Sequence, residues 1–196
     1  MSLLRPDLAI IADHVAPSTR VLDIGCGDGT LMAELRERSH VDARGLELDS
    51  DNVAAAVAKG LSVIQGDADT DLSYYPDGAF DYAILSQTLQ TTRHPHKVLD
   101  ALVRIGRHGF VSFPNFAYWR VRWALMWNGR MPMTAALPVS WYETENIHQL
   151  TVADFRALVA ELGITVEDCW FLSQGQRISA AGANWRAEHA VFLLRR

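Results

Sequence analysis

Lysine and cysteine are both scarce in this chain, and each scarcity argues against a class of protein. Lys59 and Lys97 are the only lysines among 196 residues and the net charge is −5, so nucleic acid is not expected to be the primary partner. The two cysteines, Cys26 and Cys169, have neither a metal-binding spacing nor the number that a disulfide framework needs. We predict that Cys26 fills space rather than acting as a nucleophile.

Long apolar runs are missing as well, and so is an apolar N-terminal segment of the kind that directs secretion. No stretch is long enough to span a bilayer, and Arg5 and Asp7 place charges in the first turns of the chain. These features predict a cytoplasmic protein that does not bind membranes. The 196 residues, 49% of them hydrophobic and 21% charged, suit one globular domain with a substantial core.

The chain is organised around a glycine-rich turn between a strand and a helix. Residues 21–30 read VLDIGCGDGT, in which a short apolar run precedes Gly25, Gly27 and Gly29, and apolar residues at helical spacing follow. Glycine lets the backbone bend sharply and lets a ligand approach without a Cβ in the way. The N-terminus of the helix behind the turn offers unpaired N–H groups to a negatively charged group.

The position of the third glycine distinguishes two cofactor classes. A dinucleotide fingerprint, G-x-G-x-x-G, requires glycine at position 30, where this chain has Thr30. Here the third glycine is Gly29, and the acidic Asp23 stands two places before Gly25. The pattern acidic-x-G-x-G-x-G resembles the first motif of methyltransferases that depend on S-adenosylmethionine (SAM). That resemblance implies SAM or its demethylated product, S-adenosylhomocysteine, as the cofactor, bound by Asp23, Gly25, Gly27 and Gly29.

An acidic residue also ends the second predicted strand, residues 43–49. Glu47 lies 22 residues beyond Gly25, and an acid at this place fits a bidentate acceptor for ribose hydroxyls. Asp49 is the alternative, although residues 49–51 have the character of a helix start. We expect Glu47, with its neighbour Leu48, to contact the cofactor.

The third predicted strand, residues 61–65, is followed by Gly66, Asp67, Ala68 and Asp69. In methyltransferases an acid here commonly contacts the adenine amino group, and the adjacent backbone N–H contacts a ring nitrogen. The resemblance therefore implies adenine contacts for Asp67 and Ala68, with Asp69 as the alternative. Either acid can instead cap the following turn.

Strand and helix patterns alternate as far as residue 115, which is the doubly wound α/β arrangement. Ser86 and Gln87 follow the fourth strand, where side chains at the carboxyl edge of a parallel sheet meet a ligand. The methyltransferase resemblance, rather than the periodicity, implies a mostly parallel sheet of seven strands with an antiparallel last strand. The predicted strands are 21–24, 43–49, 61–65, 80–85, 110–113, 167–172 and 189–194. The predicted helices include 3–14, 95–105 and 151–162. The first is expected to cover the cofactor site, and the second is stopped by Gly106 and Gly109.

We treat the chain as one domain, residues 1–196, with an insertion rich in aromatic residues and arginine at about 114–148. Four of the six tryptophans fall in it, together with three arginines. Trp119, Arg120 and Arg130 suit either a partner surface or a cofactor lid. A second small core is the alternative for the aromatic residues.

Several segments carry a closer resemblance. They read ILSQTLQ at 84–90, SFPNF at 112–116, WR at 119–120, GRMP at 129–132 and NIH at 146–148. They resemble the methionine biosynthesis protein MetW family, and the likeness runs from residue 21 to about residue 155. The resemblance implies a methyltransferase-like fold and a role in methionine synthesis. It also implies support of the homoserine O-acyltransferase that makes the activated homoserine ester.

Two functions follow from these expectations. In the first, the chain binds SAM and regulates homoserine O-acyltransferase by direct contact. In the second, it is a methyltransferase for a small-molecule acceptor, which would need a base if the nucleophile is an oxygen or an amine. His148 is the candidate for that base and His94 the second choice, although either can be a structural histidine. The lack of an unambiguous base favours the regulator.

Overall fold

Short apolar runs at regular intervals form the strands of one sheet. A computed structural model describes residues 4–131, 133–134 and 137–196. Within these ranges the strands are β1 (Arg20–Ile24), β2 (Asp42–Glu47), β3 (Ser62–Gln65), β4 (Phe80–Ser86), β5 (Gly106–Pro114), β6 (Thr165–Ser173), β7 (Gln176–Ile178) and β8 (His189–Arg195). Their order is β3-β2-β1-β4-β5-β8-β6-β7. Strands β1 to β5 pair in parallel, and β8 lies antiparallel between β5 and β6.

Helices cover both faces of the sheet, which explains why its central strands are apolar at consecutive positions. The helices are α1 (Pro6–His14), α2 (Thr30–Ser39), α3 (Ser50–Ala58), α4 (Pro95–Ile105), α5 (Trp119–Asn128), α6 (Val152–Glu161) and α7 (Ala183–Arg186). Val21 packs with α1 and α2, whereas the next residue, Leu22, packs in the cluster that contains residues of α4 and α6. Successive side chains of a strand point to opposite faces, so each face buries its own half of the apolar run. Among the described residues, no helix is long and apolar enough to cross a membrane.

Side-chain caps begin two of the helices where the sequence predicts them. The Asp49 carboxylate accepts hydrogen bonds from the backbone N–H groups of Asp51 and Asn52, at 3.0 and 2.9 Å, and starts α3. The Thr151 hydroxyl oxygen accepts one from the Asp154 N–H at 3.1 Å and starts α6. Each cap satisfies a backbone donor that has no partner within its helix.

The sheet differs from the prediction in two places. Seven strands were expected, but the described ranges contain eight, because the three-residue β7 pairs antiparallel with β6 at the edge of the sheet. The fifth strand begins at Gly106 rather than at Phe110. Gly106 pairs with Phe80, and a Cβ on Gly109 would lie 2.8 Å from Leu102 Cδ2, so both glycines are strand residues and Gly109 lets α4 pack closely.

Two predicted features extend beyond the described residues. The first helix was predicted from Leu3, which lies outside them; within them α1 begins at Pro6, where a proline is tolerated because its missing N–H would be unpaired anyway. Pro132, part of the GRMP segment, also lies outside the described ranges. The segment between β5 and α6, where the insertion was expected, contains α5.

Candidate functional site

The glycine turn between β1 and α2 uses its three glycines for different reasons. Gly25, Gly27 and Gly29 all have positive φ, at +72°, +56° and +76°. A Cβ on Gly25 would collide with the side chain of Thr88, and one on Gly29 with the side chain of Leu61. A Cβ on Gly27 would meet no described atom within 4 Å. Gly27 is therefore the position at which the turn opens to a ligand.

Two adjoining cavities lie at the carboxyl edge of the sheet. The smaller has a volume of about 350 Å³ and lies between α1 and the glycine turn. The larger, of about 1020 Å³, extends from the turn past the ends of β2, β3 and β4 to residues 143–147, which lie between α5 and α6. Both are lined by Arg5, Gly25, Gly27 and Ser86, so they meet at the glycine turn.

Asp23 lines the smaller cavity. Only 2% of the residue is exposed, and its Oδ1 atom is buried with no hydrogen-bond partner in the described part of the chain. Burial raises the pKa of its carboxyl to about 7; the Arg5 cation lowers this pKa in part and the Glu47 carboxylate raises it. A cationic group in this cavity would supply the missing partner and favour the ionised carboxylate.

Arg5 and Asp7, at the start of α1, belong to this site although the sequence did not reveal them. The Arg5 guanidinium donates a hydrogen bond to the Ser86 hydroxyl at 2.9 Å and lies 3.3 Å from the Asp7 carboxylate. The buried Asp7 carboxylate accepts a hydrogen bond of 2.8 Å from the Ser112 hydroxyl. The first turn of α1 is thereby held across the ends of β4 and β5, and Arg5 lines both cavities.

Glu47 connects the end of β2 to the glycine turn. Its Oε2 accepts a hydrogen bond from the Gly27 N–H at 2.7 Å, and its Oε1 accepts one from the Asp49 N–H at 3.0 Å. Glu47 and Leu48 line the larger cavity. Each carboxylate oxygen has two lone pairs, so Glu47 retains the capacity to accept from a ligand. Asp49, the alternative, also lines the cavity, but its carboxylate caps α3.

Asp67, Ala68 and Asp69 line the larger cavity beside the end of β3. Asp67 Oδ1 accepts a hydrogen bond from the Asp69 N–H at 2.9 Å. The Asp69 carboxylate accepts from the backbone N–H groups of Arg93 and His94, at 2.7 and 2.8 Å. Burial raises the pKa of Asp69, but the hydrogen bonds from Arg93 and His94 outweigh that effect and the net pKa is lowered. Because Asp69 is engaged in holding the loop before α4, Asp67 has more capacity for a ligand.

The loop after β4 brings Ser86, Gln87 and Gln90 to the cavities. Gln87 has a positive φ of +55°, and its N–H donates to the Ser112 carbonyl at 2.9 Å. Gln90 is buried, and its side-chain amide donates to the Gln87 carbonyl at 2.7 Å. Its Oε1 atom has no hydrogen-bond partner among the residues described. Gln90 lines the larger cavity, and its only signal in the sequence was the ILSQTLQ segment.

The two histidines considered as bases lie outside the linings of both cavities. The His148 N–H donates to the Gln90 carbonyl at 3.0 Å, while its Nε2 is buried and has no partner among the described residues. His94 Nδ1 lies 3.3 Å from Asp69 Oδ1. These contacts connect both histidines to the loops around the site, and the assignment of His148 as a base stays a prediction.

Cys26, within the glycine turn, packs as the sequence predicts. It is buried with Met32, Ala56 and Leu61, and burial raises the pKa of its thiol. A Cβ on Gly45 would lie 2.6 Å from Cys26 Sγ, so the thiol fills the space beside a glycine of β2. A thiol with a raised pKa in an apolar cluster is a poor nucleophile.

Solved structures of methyltransferases share this fold. A SAM-dependent methyltransferase from Archaeoglobus fulgidus superposes with a TM-score of 0.73 at 14% identity, over 99% of this chain and 93% of that one. An S-adenosylmethionine-dependent methyltransferase from Mesorhizobium loti superposes with a TM-score of 0.70 at 19% identity, over 97% and 96% of the two chains. The architecture is therefore the Rossmann-like fold of SAM-dependent methyltransferases. A shared fold at such identities does not by itself assign an activity.

Sequence comparison is more specific than the fold. The bifunctional methionine biosynthesis protein MetXA/MetW of Rhodopirellula baltica is 33% identical over 205 residues, which cover 98% of this chain and 33% of that relative. The chain thus spans about a third of the length of this curated relative. The family profile described as methionine biosynthesis protein MetW matches residues 5–194. This chain therefore belongs to the methionine biosynthesis protein MetW family.

Proposed function

We propose that this protein binds SAM or S-adenosylhomocysteine in the two adjoining cavities. The observation that carries the proposal is the pair of opposite charges at the smaller cavity, which is lined by Arg5 and by Asp23, whose buried Oδ1 has no hydrogen-bond partner among the described residues. The amino-acid end of either compound carries an ammonium and a carboxylate. Asp23 would accept from the ammonium and Arg5 would donate to the carboxylate, so both charges would be paired in a partly buried site.

The larger cavity suits the nucleoside end of the same ligand. Glu47 and Leu48 line it beside the glycine turn, and Asp67 and Ala68 line it further along. Carboxylates at the ends of successive parallel strands match the hydroxyls of a ribose and the amino group of an adenine. Gly27, whose missing Cβ leaves open space, lies where the two cavities meet and lets a ligand pass close to the backbone.

Calorimetric titration with SAM and with S-adenosylhomocysteine tests the binding. Gly27→Ala is expected to weaken it, because the new Cβ would occupy ligand space. Gly78→Ala is the matched control: Gly78 has nearly the same φ, +61° against +56°, and its Cβ would also be unobstructed, but it lines neither cavity. An equal loss of SAM affinity in both variants would indicate backbone strain rather than lost ligand space. The absence of heat for the wild type at millimolar ligand would rule out the proposal.

We also propose that the protein supports homoserine O-acyltransferase by direct contact. The proposal is supported by family membership and by the relative whose name joins MetXA and MetW in a single polypeptide. Fusion keeps two partners at high effective concentration, which is useful when they act together. Co-purification of the separate proteins, and acyltransferase rates measured with and without this chain, test the contact. An unchanged rate together with no co-purification would contradict it.

A methyltransferase acting on a small molecule is the second candidate. It is favoured by the extent of the larger cavity, which continues beyond the acids of β2 and β3 to Gln90 and residues 143–147. That space would hold an acceptor beside the cofactor. Transfer of a labelled methyl group from SAM to pooled metabolites would support this activity, and a lack of transfer by a protein that binds SAM would leave the regulator.

A further inference from the structure

Helix α5 lies on the surface of the molecule and has little apolar contact with the other residues that the structure describes. Among its ten described residues only Val121 is buried, in a small cluster with Tyr118 and Leu137. An isolated helix of this length is marginally stable in water, so helices of this kind depend on packing against another surface. The described residues of the chain supply little of that packing for α5.

The exposed side of α5 is a stripe of tryptophans. Trp119, Trp123 and Trp127 are spaced by four residues, so they lie on one face of the helix. Trp123 is 45% exposed and Trp127 is 75% exposed, and their ring centroids are 5.5 Å apart. Met126 is exposed as well. We call these four side chains the tryptophan face. Contiguous exposed apolar side chains mark interaction sites, and tryptophan is prominent among residues that dominate binding energy.

The charge around the tryptophan face is opposite to that of the whole protein. Residues 116–142 contain no Asp or Glu but include Arg120, Arg122 and Arg130, whereas the chain has a net charge of −5. The guanidinium carbon of Arg120 lies 5.3 Å from the centroid of the Trp119 ring. Arg122, on the same helix, donates to the Ala117 carbonyl at 2.6 Å, and its guanidinium carbon lies 5.1 Å from the centroid of the Trp185 ring of α7. The face therefore suits a partner with an apolar surface that is bordered by carboxylates.

A second copy of this chain fits the face poorly. A two-fold symmetric dimer would bring the same patch of both copies together. The arginines around each tryptophan face would then oppose like charges across the interface, which is unfavourable. The occupant is better sought in a different protein.

We propose that the tryptophan face of α5 is the surface on which homoserine O-acyltransferase docks. This inference rests on the proposed function, which names that protein as the partner. The relative that joins MetXA and MetW in one polypeptide supports the choice of occupant. The chemistry of the face adds that the docking surface of the acyltransferase should combine apolar side chains with Asp or Glu.

The test is a titration of full-length protein with the purified homoserine O-acyltransferase of the same organism. The double variant with Trp123→Ala and Trp127→Ala is expected to bind at least about 30-fold more weakly, as for hot-spot residues. Tyr74→Ala is the matched control, since Tyr74 is 84% exposed and lies in the helical turn Asp71–Tyr74 before β4, outside α5. The control should bind as the wild type does. SAM titrations should agree within about twofold for all three proteins, because the tryptophan face lines neither cavity.

The outcomes separate the surface from the partner. If the wild type does not bind the acyltransferase, the proposed contact itself fails. If the wild type binds and the double variant binds equally well, the contact stands and the tryptophan face is not its surface. If light scattering shows a wild-type dimer that the double variant loses, the occupant is a second copy and the proposal is overturned. Should the double variant lose its circular dichroism spectrum, Trp127→Glu alone provides the test, because Trp127 is the most exposed of the tryptophans on α5.

Discussion

The raised pKa of Asp23 leads to a prediction about how cofactor binding depends on pH. Burial raises this pKa to about 7. The Arg5 cation lowers the pKa and the Glu47 carboxylate raises it, but both effects are smaller than that of burial. Only the ionised carboxylate can pair with the ammonium of SAM. The ionised fraction rises from about 1% at pH 5 to about half at pH 7. We therefore expect the dissociation constant for SAM to fall about 50-fold between these pH values.

Asp23→Asn removes this dependence while keeping the shape of the side chain. At pH 7 it should weaken SAM binding by about 10- to 100-fold, because a hydrogen bond to a charged group contributes roughly 1.5–3 kcal/mol. Calorimetry at pH 5, 6 and 7 measures both effects, and the ammonium of the ligand stays protonated across most of that range. Asp42→Asn is the control, since it removes the same charge from an exposed residue at the far end of β2. A wild-type affinity that does not change with pH would refute the reasoning.

The Asp23 carboxyl should also make the stability of the ligand-free protein depend on pH. Stability should fall as pH rises, whereas SAM binding should become tighter. The pKa of Asp23 is higher in the folded state, about 7, than its ordinary value of 3.8. Between these two pH values the folded state therefore keeps a proton that the unfolded state has released. As a result, the free energy of unfolding falls as pH rises through that window. The shift corresponds to about 4 kcal/mol. Asp23→Asn should thus be more stable than the wild type at pH 8, as urea unfolding at pH 4, 6 and 8 would show. If Asp23→Asn were less stable than the wild type at pH 8, the claim that burial of the Asp23 charge destabilises the ligand-free protein would be contradicted.

Three further predictions concern other residues of the site and its support. Arg5→Gln should raise the SAM dissociation constant at least tenfold and move the pH dependence to higher pH, as calorimetry would show, because Arg5 lowers the pKa of Asp23. Gly45→Ala should reduce the free energy of unfolding in urea by about 1–3 kcal/mol, since its Cβ would lie 2.6 Å from Cys26 Sγ. Asn115→Ala should reduce the same free energy by about 2–4 kcal/mol, because the buried amide donates to two backbone carbonyls and accepts from two N–H groups.

Local patterns were sufficient to predict the part of the site that is built within short segments. The strand, glycine turn and helix at residues 20–39 follow from periodicity and from the need for glycine at positive φ. The acid at the end of β2 follows from its spacing to the turn, and the caps Asp49 and Thr151 follow from their place before apolar runs. Each of these features is decided by neighbours within about 20 residues.

Features that depend on distant segments were not predictable in the same way. Arg5 and Ser86 are 81 positions apart, and Asp7 and Ser112 are 105 apart. Nothing in either segment indicates which remote hydroxyl a charged side chain at the start of α1 will meet. The surroundings of His148 are a further example, since its Nε2 is buried without a hydrogen-bond partner among the described residues. Tertiary packing decides these contacts, and a single sequence does not show it.

The loop after β4 provides a physical connection between the two cavities and residues 147–148, which precede α6. The Ile147 and His148 N–H groups both donate to the Gln90 carbonyl, and the Gln90 amide donates to the Gln87 carbonyl. Ser86, at the start of this loop, accepts from Arg5. A ligand that paired with Arg5 would therefore be connected through this loop to residues 147–148.

Such a connection produces regulation only if the ligand binds two arrangements of the loop with different affinities. Any effect of SAM on the affinity for the acyltransferase then requires an equal effect of the acyltransferase on the affinity for SAM. A scaffold that merely tolerates the ligand would show the same SAM dissociation constant with and without a saturating partner. That comparison separates a sensor from a scaffold without depending on whether any methyl group is transferred, because it measures the coupling itself.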